Sequence, residues 1–444
     1  MAKTAKRSKT PSPTAADDDA LRSKPTEKAS SAGESWTLLG FVVLLGAAIV
    51  ATAVHNPEEV RHATSRALGH IVTQFGLDNA FSVHLDAFSR SVDCSDALQY
   101  LTTVHPVKGF HVVCVEKSPM DSLFITGYKD GMHPKQTSET AIDLMAFTHE
   151  VEHMFQIKEP MDEYAVKFKQ PYAFFTPDGV RLATKLGDLV NRVVFLFEGG
   201  QFIWPGITIG HKTIVKDVYK KGDVVLETLS MTPLVFGVDE FLKDDEINVI
   251  LELSLDHLNP SGVALNDAHK DRPATDWRTS TTYFLPSSRH PLVQDIDRRT
   301  ADLVKVPVSH QEYVQVLRYE ETQKYDHHLD YFSVENHQKS PQVLENIEYG
   351  FKNRMITVFW YMSDVARGGH TIFPRAGGQP KPSTMRDCTK GLKVPPQKRK
   401  VIVFYSMLPN GEGDPMSLHG GCPVEEGIKY SGNKWVWNKP RINP

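Results

Sequence analysis

The chain has 444 residues, of which 23% are charged and 40% are hydrophobic, and its formal net charge is −4. This length is sufficient for two or three domains that each bury a core. The balanced charge argues against a nucleic-acid partner and against a strongly acidic one. The function must therefore be sought in motifs instead of in overall composition.

The first 35 residues differ in composition from the rest of the chain. They are rich in Lys, Ser, Thr, Pro and Ala, contain one leucine and have no aromatic side chain. Such a segment cannot bury enough apolar surface to offset the entropy lost on ordering it. We predict a disordered cytosolic tail over 1–35.

An uncharged apolar segment follows at 36–54, with the sequence WTLLGFVVLLGAAIVATAV. A helix of this length, at about 1.5 Å per residue, spans a hydrocarbon core of about 30 Å. Basic residues are denser before the segment than after it, so the positive-inside rule places the N-terminus in the cytosol. Ala51-Thr52-Ala53 resembles a signal-peptidase site, but the polar leader is too long for an ordinary signal peptide. We predict an uncleaved, single-pass type II signal anchor with the rest of the chain in the lumen.

All four cysteines, Cys94, Cys114, Cys388 and Cys422, lie after the predicted anchor. An even number of lumenal cysteines fits two disulfides in an oxidising compartment. Pairing of nearest neighbours would join Cys94 to Cys114 and Cys388 to Cys422, although the sequence allows three connectivities.

The region 55–225 has mixed patterns and no motif that assigns it a role. Apolar segments punctuated by Gly and Pro predict strands, and apolar spacing predicts a helix at 138–155. The strands are expected at 111–115, 122–128, 172–175, 192–197, 201–210 and 223–229.

The helix predicted at 138–155 contains the sequence HEVEH, a literal H-E-x-x-H motif. On a helix, His149 and His153 would lie one turn apart and could bind zinc, with Glu150 as a general base. However, Glu152 is charged where such helices are usually apolar, and no third ligand is evident downstream. We favour a solvated helix face and keep a zinc metallopeptidase as an alternative.

The chain from 226 onward begins with helical patterns and then changes to strands. Helices are predicted at 239–255 and 290–306, because acidic residues near the start precede apolar residues at three- and four-residue spacing. Beyond 311, short strands joined by Gly, Pro and Asn predict a sandwich or barrel. These strands are expected at 312–320, 328–332, 355–363, 370–374, 400–407 and 434–438.

The sequence YDHHLDYF at 325–332 contains a candidate metal site. Residues i and i+2 of a strand point to the same face, so His328 and Asp330 lie together and His327 points the other way. One imidazole and one carboxylate are two of the three ligands of a 2-His-1-carboxylate triad for Fe(II). His419 is the candidate for the third ligand.

Lys429 follows His419 at ten residues, with Glu425-Glu426-Gly427 as an intervening turn. We therefore expect the two residues on adjacent antiparallel strands that both face the barrel interior. A buried lysine beside a metal requires an anionic ligand, because its charge would otherwise be unpaired.

From about 226 to 440 the chain resembles the catalytic domain of the prolyl 4-hydroxylases, which are Fe(II)/2-oxoglutarate dioxygenases of the endoplasmic reticulum and Golgi. The matching segments, in order, are ETLSMTPLVFGVDEFL, VLRYEETQKYDHHLDYF, RMITVFWYMSDVARGGHTIFP, KGLKVPPQKRKVIVFYSM and SLHGGCPVEEGIKYSGNKWVW. The resemblance implies an α+β fold whose C-terminal double-stranded β-helix, or jelly roll, carries flanking helices. The mixed lumenal region 55–225 and the transmembrane helix would precede it.

Residue by residue, the resemblance implies His328, Asp330 and His419 as iron ligands. Lys429 would bind the far carboxylate of 2-oxoglutarate, and Tyr319 matches a tyrosine near that cosubstrate. The implied cofactors and cosubstrates are Fe(II), 2-oxoglutarate, O2 and L-ascorbate. The implied reaction is hydroxylation of a peptidyl proline at C4, with succinate and CO2 as coproducts. The implied partners are a proline-containing protein and the endoplasmic reticulum or Golgi membrane, with the catalytic domain in the lumen.

Three departures from the family pattern lie near the predicted site. Glu321-Thr322 stands where family members usually carry Pro-Gly, and His327 stands where they carry a proline or another residue. The connection 333–353 is also longer than usual. These departures leave the predicted metal ligands unchanged, so the motif still predicts the metal chemistry. It does not predict which substrate is chosen. The alternatives are a dioxygenase for another peptidyl residue and an inactive binding module of the same fold, and the complete set of site residues argues against the latter.

Overall fold

The computed structural model describes most of the chain after the predicted tail and anchor. The described residues are 94–441 without 103, 119–120, 158–171 and 183–184. The tail and anchor predicted at 1–54 therefore lie outside the described residues. None of the helices within the described part of the chain is long and apolar enough to cross a membrane.

The N-terminal part of the described chain forms a five-stranded antiparallel sheet. A long helix, α1 (Leu144–Phe155), covers one face, where Phe147 and Val151 belong to the same apolar cluster as Val113 and Ile125. A one-turn helix, α2 (Leu186–Leu189), precedes the last strand along the chain. From edge to edge the strands are β3 (Gln136–Ala141), β2 (Ser122–Tyr128), β1 (Phe110–Lys117), β5 (Arg192–Phe197) and β4 (Ala173–Phe175).

The helix predicted at 138–155 begins later than expected, because its first residues belong to β3. In that strand Ser138 pairs with Ile125 of β2, and this pairing overrides the local helical pattern. The α1 helix begins after Asp143, whose carboxylate accepts a hydrogen bond from the Ala146 backbone N–H at 2.9 Å. It ends at Gln156, which adopts a left-handed conformation.

A nine-stranded antiparallel sheet forms the centre of the molecule. Helices α3 (Asp244–Glu252) and α4 (Pro291–Val304) flank it and confirm the two helices predicted from periodicity, although α3 is shorter than expected. From edge to edge the strands are β6 (Lys212–Val218), β7 (Gly222–Met231), β8 (Leu234–Val238), β17 (Val401–Tyr405), β13 (Arg354–Tyr361), β20 (Lys429–Trp437), β11 (Val314–Tyr319), β10 (Thr281–Leu285) and β9 (Asn259–Pro260).

A smaller sheet packs against the nine-stranded sheet. One apolar cluster joins Ile402 and Phe404 of the large sheet to Phe373 and Val394 of the small one. The small sheet has the order β12 (Tyr325–His328), β18 (His419–Gly421), β15 (Thr371–Phe373) and β16 (Leu392–Val394), and a separate pair is formed by β14 (Arg367–Gly368) and β19 (Val424–Glu426). This mostly-sheet arrangement is consistent with the predicted jelly-roll dioxygenase core.

The other face of the nine-stranded sheet is buried as well. Along β17, Val401, Val403 and Tyr405 alternate with the residues of the inter-sheet cluster and join a second core. This core also contains Phe110 and Phe197 of the five-stranded sheet. Because both faces are covered, β17 is apolar throughout, as expected for a fully buried strand.

Two segments predicted as strands are not strands. Residues 201–210 form an irregular connection, although Trp204 is buried and donates from Nε1 to the Leu303 carbonyl at 2.7 Å. The apolar character of this segment reflects its burial and not a pairing strand. The segment 328–332 continues β12 only through His328 and then bends.

The predicted boundary between 225 and 226 falls inside β7, which pairs with β6 in the large sheet. Both disulfides join nearest neighbours, Cys94 to Cys114 and Cys388 to Cys422. The simplest of the three possible connectivities is thus the one in the structure.

Candidate active site

The three predicted metal ligands lie together at one end of the small sheet. The Cα atom of His328, the last residue of β12, pairs with that of His419, the first residue of β18. The Asp330 carboxylate lies 3.7 Å from His328 Nε2 and 3.6 Å from His419 Nε2. Asp330 itself lies in the bend beyond the strand, so strand alternation identified the correct residue although the strand had already ended.

Backbone carbonyls orient both imidazoles toward the centre of this cluster. His328 Nδ1 hydrogen-bonds to the Asp326 carbonyl at 2.9 Å, and His419 Nδ1 to the Ser417 carbonyl at 2.8 Å. Because a carbonyl only accepts, each Nδ1 must carry the hydrogen and each Nε2 keeps its lone pair in the neutral ring. This arrangement is typical of metal-binding histidines.

The Asp330 carboxylate is held by Thr357 of β13, which donates from Oγ1 at 2.6 Å. Burial alone would raise the pKa of Asp330, but the charges of His419 and His328, with Arg354 and this hydrogen bond, lower it to about 2. Burial, followed by the charge of His419, lowers the pKa of His328 to about 3. At neutral pH Asp330 is therefore ionised and His328 is neutral, which are the forms that bind a metal.

Two imidazole nitrogens and one carboxylate are the donor set of a non-haem Fe(II) site with open positions. Their ligand atoms all lie within 4.8 Å of one another. Among the described residues, the other comparable group contains Cys94 and Cys114, whose sulfur atoms are joined in a disulfide. The residues of the His328 cluster therefore fit the iron that the sequence predicts.

Lys429 is a buried cation in the core between the sheets. The residue is 2% exposed, and Nζ donates to the Gly369 carbonyl at 2.7 Å. The ring centres of Tyr319, Phe359 and Tyr361 lie 5.5, 5.3 and 5.7 Å from Nζ. Burial lowers the pKa of Lys429 to about 7, and no described carboxylate offsets this effect. The surroundings leave the ammonium available to an anionic ligand.

The prediction that His419 and Lys429 lie on adjacent strands is wrong. His419 is in β18 of the small sheet, whereas Lys429 is in β20 of the large sheet. The expected turn between them includes β19, which pairs with β14. Both side chains nevertheless reach the inter-sheet core: the ring of Phe404 lies 4.6 Å from that of His419, and Phe359 belongs to the same cluster.

A cavity of about 350 Å³ opens beside His328. Its lining combines aliphatic side chains, aromatic rings and polar groups, which suits a peptide more than a small ion. Tyr325 stacks on His328 with ring centres 3.7 Å apart, and Arg278 lies 4.5 Å above the Tyr325 ring. Other lining residues are Val263, Leu265, Asn266, Trp277, Leu329, Tyr331, His337, Met385 and Leu418.

His327 is buried and lines the same cavity as His328. Neither of its ring nitrogens makes a hydrogen bond to another described residue. Burial, followed by the charge of His419, lowers the pKa of His327. His327 is therefore a neighbour of the metal cluster and not a member of it.

The H-E-x-x-H motif lies on the exposed side of α1. His149 and His153 are both exposed, and the described chain supplies no third ligand near them. A zinc site at this helix therefore has no support in the described residues, and the solvated helix face is the better interpretation.

Part of the chain is similar to known proteins. Residues 314–437 match the family model of the 2OG-Fe(II) oxygenase superfamily. Probable prolyl 4-hydroxylase 3 of Arabidopsis thaliana is 37% identical over 222 residues, which cover 49% of this chain and 74% of the relative. Prolyl 4-hydroxylase 2 of the same plant is 37% identical over 218 residues, which cover 48% and 69%. The viral collagen prolyl hydroxylase of Paramecium Bursaria Chlorella virus-1 is a solved structure with 22% identity and a TM-score of 0.33, covering 46% of this chain and 95% of that one.

The site and the family model together define a 2-oxoglutarate-dependent dioxygenase. More narrowly, the sequence identity of this chain to relatives over most of their length shows that it belongs to the prolyl 4-hydroxylase family. Enzymes of this family use Fe(II), 2-oxoglutarate and O2, and L-ascorbate is typical of them.

Proposed function

We propose that this chain hydroxylates C4 of a peptidyl proline and releases succinate and CO2 from 2-oxoglutarate. The observation that carries the proposal is the cluster of His328, Asp330 and His419 beside a peptide-sized cavity. Bound Fe(II) would supply the oxidising chemistry with 2-oxoglutarate and O2. The chain's own residues then hold the metal, place the cosubstrate and position the proline.

The cosubstrate side of the site is formed by Lys429 and Tyr319. The buried ammonium would pair with the far carboxylate of 2-oxoglutarate, which supplies the charge that the described protein does not. The Tyr319 ring lies 5.5 Å from Lys429 Nζ and limits the space around that carboxylate. Substituting Lys429 with alanine should mainly raise the concentration of 2-oxoglutarate that is needed.

The substrate side is formed by the cavity beside His328. Trp277, Tyr325 and Tyr331 supply aromatic surface, and aromatic-lined grooves bind the rings of prolines in extended peptides. Because Tyr325 stacks directly on His328, a proline that packs on this surface lies close to the metal cluster.

The test is an assay of the purified chain with Fe(II), 2-oxoglutarate, ascorbate and proline-containing peptides. We expect succinate and a peptide heavier by one oxygen atom, with the hydroxyl group at proline C4 by amino-acid analysis. Alanine at His328, Asp330 or His419 should abolish turnover, whereas His327→Ala should keep most of it. Absence of 2-oxoglutarate turnover with and without peptide would contradict the proposal, and a hydroxyl group on another residue would favour the alternative substrate.

We also propose that the enzyme is a single-pass type II protein with its catalytic domain in the lumen of the endoplasmic reticulum or Golgi, acting on secretory-pathway proteins. The apolar segment 36–54 and the pairing of all four cysteines support this location. In intact microsomes, protease should remove an N-terminal epitope and leave a C-terminal one until detergent is added. Digestion of the C-terminal epitope without detergent would contradict the topology.

A further inference from the structure

Arg375 and Lys381 are positively charged residues that line the cavity beside His328. Arg375 is half-buried and Lys381 is exposed. Neither side chain forms an ion pair with any residue that the structure describes. The cavity therefore has two cations on its lining whose charge the described protein leaves unpaired.

The negative charge on the lining is already neutralised. Among the described residues that line the cavity, Asp326 is the acidic one, and it is buried. Its carboxylate contacts Lys324 through one oxygen and Arg386, at 3.0 Å, through the other. The wall of the cavity thus carries an excess of positive charge.

The guanidinium of Arg375 is held at the cavity by neutral acceptors. Nη1 donates to the Pro415 carbonyl at 3.0 Å, and Nε donates to the Gln379 carbonyl at 3.3 Å. Pro415 and Tyr331 both line the cavity, and the charge of Arg375 opposes the rise that burial causes in the pKa of Tyr331. The carbonyls fix the orientation of the guanidinium but cannot cancel its charge.

Asp414 lies within range of the charge of Arg375 but does not pair with it. Burial raises the pKa of Asp414, and the charge of Arg375 opposes this rise. The Asp414 carboxylate instead accepts a hydrogen bond from the Met416 backbone N–H at 2.8 Å. Asp414 is not part of the cavity lining, so a carboxylate inside the cavity would meet Arg375 without displacing an existing ion pair.

The two cations belong to a segment that is attached to the metal-binding sheet. Arg375 follows β15, which pairs with the strand that carries His419. Further along the same segment, the Met385 carbonyl accepts a hydrogen bond from the His327 backbone N–H at 2.8 Å. A peptide that places its proline beside the metal cluster therefore has its neighbouring residues next to these charges.

We propose that Arg375 and Lys381 are specificity-determining residues that bind the side-chain carboxylate of an aspartate or glutamate near the target proline. A carboxylate gains charge-assisted hydrogen bonds from them, and a cationic side chain at the same place is repelled. The inference rests on the proposed hydroxylation of peptidyl proline and names a substrate class, which is proline-containing peptides with an acidic neighbour.

The test compares peptides that contain one proline flanked by alanines, with Glu, Gln or Lys placed at each flanking position in turn, assayed with the full chain. Glu and Gln have nearly the same shape, so their comparison isolates the charge. At the position that meets the two cations, KM should be about fivefold lower for the Glu peptide than for the Gln peptide, and the Lys peptide should have the highest KM. Added salt should shrink the difference.

Substitutions assign this preference to the two cations. Arg375→Gln and Lys381→Gln should each reduce the ratio of the Gln and Glu KM values, with little change for the Gln peptide itself. Lys381→Glu should lower the KM of the Lys peptide relative to the Gln peptide, which a loss of packing would not do. Arg289→Gln is the control, because Arg289 is an exposed arginine outside the cavity lining, and it should keep the full preference.

Two results would overturn the inference while the proposed function survives. One is an equal KM for the Glu and Gln peptides at every position, and the other is a preference that stays unchanged in both Arg375→Gln and Lys381→Gln. If Arg375→Gln does not fold, the two Lys381 variants still decide, because that side chain is exposed. Turnover of 2-oxoglutarate without hydroxylation of any peptide would contradict the proposed function and the inference together.

Discussion

Thr357 is the residue that fixes the carboxylate of the metal cluster. It contacts Asp330 and lies on β13, a central strand of the large sheet, so it joins the metal cluster to the centre of that sheet. We predict that Thr357→Val, which keeps the shape and removes the hydroxyl, lowers Fe(II) affinity about 10–100-fold. A titration with Fe(II) that follows turnover up to saturating iron would measure the change in affinity.

Thr371→Val is a matched control for this substitution. Thr371 is another buried threonine between the sheets, but its hydroxyl accepts from Tyr361 at 2.8 Å and not from a group of the metal cluster. The substitution Thr371→Val should lower the stability of the protein without weakening iron binding. Equal losses of Fe(II) affinity in the two variants would show that Thr357 acts through general packing.

Lys429 should make 2-oxoglutarate binding depend on pH. Burial lowers its pKa to about 7, so the free enzyme loses this proton on the alkaline side of neutrality. If binding requires the ammonium, the apparent Kd for 2-oxoglutarate should rise as the pH increases above about 7, approaching a factor of roughly ten per pH unit. Binding measured by calorimetry at several pH values would test this.

Lys429→Arg supplies the control for that pH profile, because a guanidinium stays protonated throughout this range. We expect Lys429→Arg to bind 2-oxoglutarate more weakly than the unaltered chain, because the guanidinium has a different shape from the ammonium. Its affinity should not change with pH. A flat profile in the unaltered chain would mean that Lys429 is not the group that pairs with the cosubstrate.

Individual site residues differed in how well the sequence could predict them. His328 and Asp330 share a short motif with a two-residue spacing, so local geometry was enough to select them. Thr357 and Trp277 carry no local signal, because their roles depend on which distant segment each one meets in the folded chain. Lys429 was identified through the family spacing, but the strands adjacent to it were not predicted correctly.

At the scale of elements, the segment after β15 is attached to the metal-binding sheet at several points. Arg386 contacts Asp326 at 3.0 Å, and the His327 backbone N–H donates to the Met385 carbonyl at 2.8 Å. The disulfide between Cys388 and Cys422 adds a covalent link three residues beyond His419. This segment contributes Met385 to the cavity wall, so its attachment should influence peptide binding.

We predict that replacing Cys388 and Cys422 with serine raises KM for peptide at least about threefold, since the ordered wall must then be formed on binding. Replacing Cys94 and Cys114 is the matched control, because that disulfide lies in the five-stranded sheet region. Both pairs should lower the free energy of unfolding by about 3–4 kcal/mol. The same change in peptide KM for both variants would show that the effect is one of overall stability.

Most elements could be predicted where one physical pattern dominated. The nearly continuous apolar sequences of β13 and β17 and the amphipathic spacing of α4 were sufficient. The prediction of a strand at 201–210 was wrong, because a buried segment that pairs with no strand has the same apolar composition as a strand. The predicted start of α1 was wrong, because the pairing of β3 with β2 at the edge of the sheet outweighs a helical pattern of four residues.

At the scale of the whole molecule, the described chain forms one unit around a shared core. All of the described residues fall within one compact unit. Phe195 and Phe197 of the five-stranded sheet pack in the same core as Val403 and Tyr405 of the large sheet. A sequence gives no direct signal for such sharing, because the apolar residues on each side are equally consistent with two separate cores.

This shared core leads to a prediction about shortened chains. A chain that begins at residue 226 loses β6, part of β7 and the buried aromatic residues Phe195, Phe197 and Trp204. Each such side chain contributes about 1.5–3 kcal/mol when buried, and typical domains are stable by only about 5–15 kcal/mol. We expect the chain that begins at 226 to be unfolded by circular dichroism and inactive toward 2-oxoglutarate. A chain that begins at residue 90 should melt cooperatively and turn over 2-oxoglutarate, and a folded, active protein from 226 onward would show that the two sheets are independent domains.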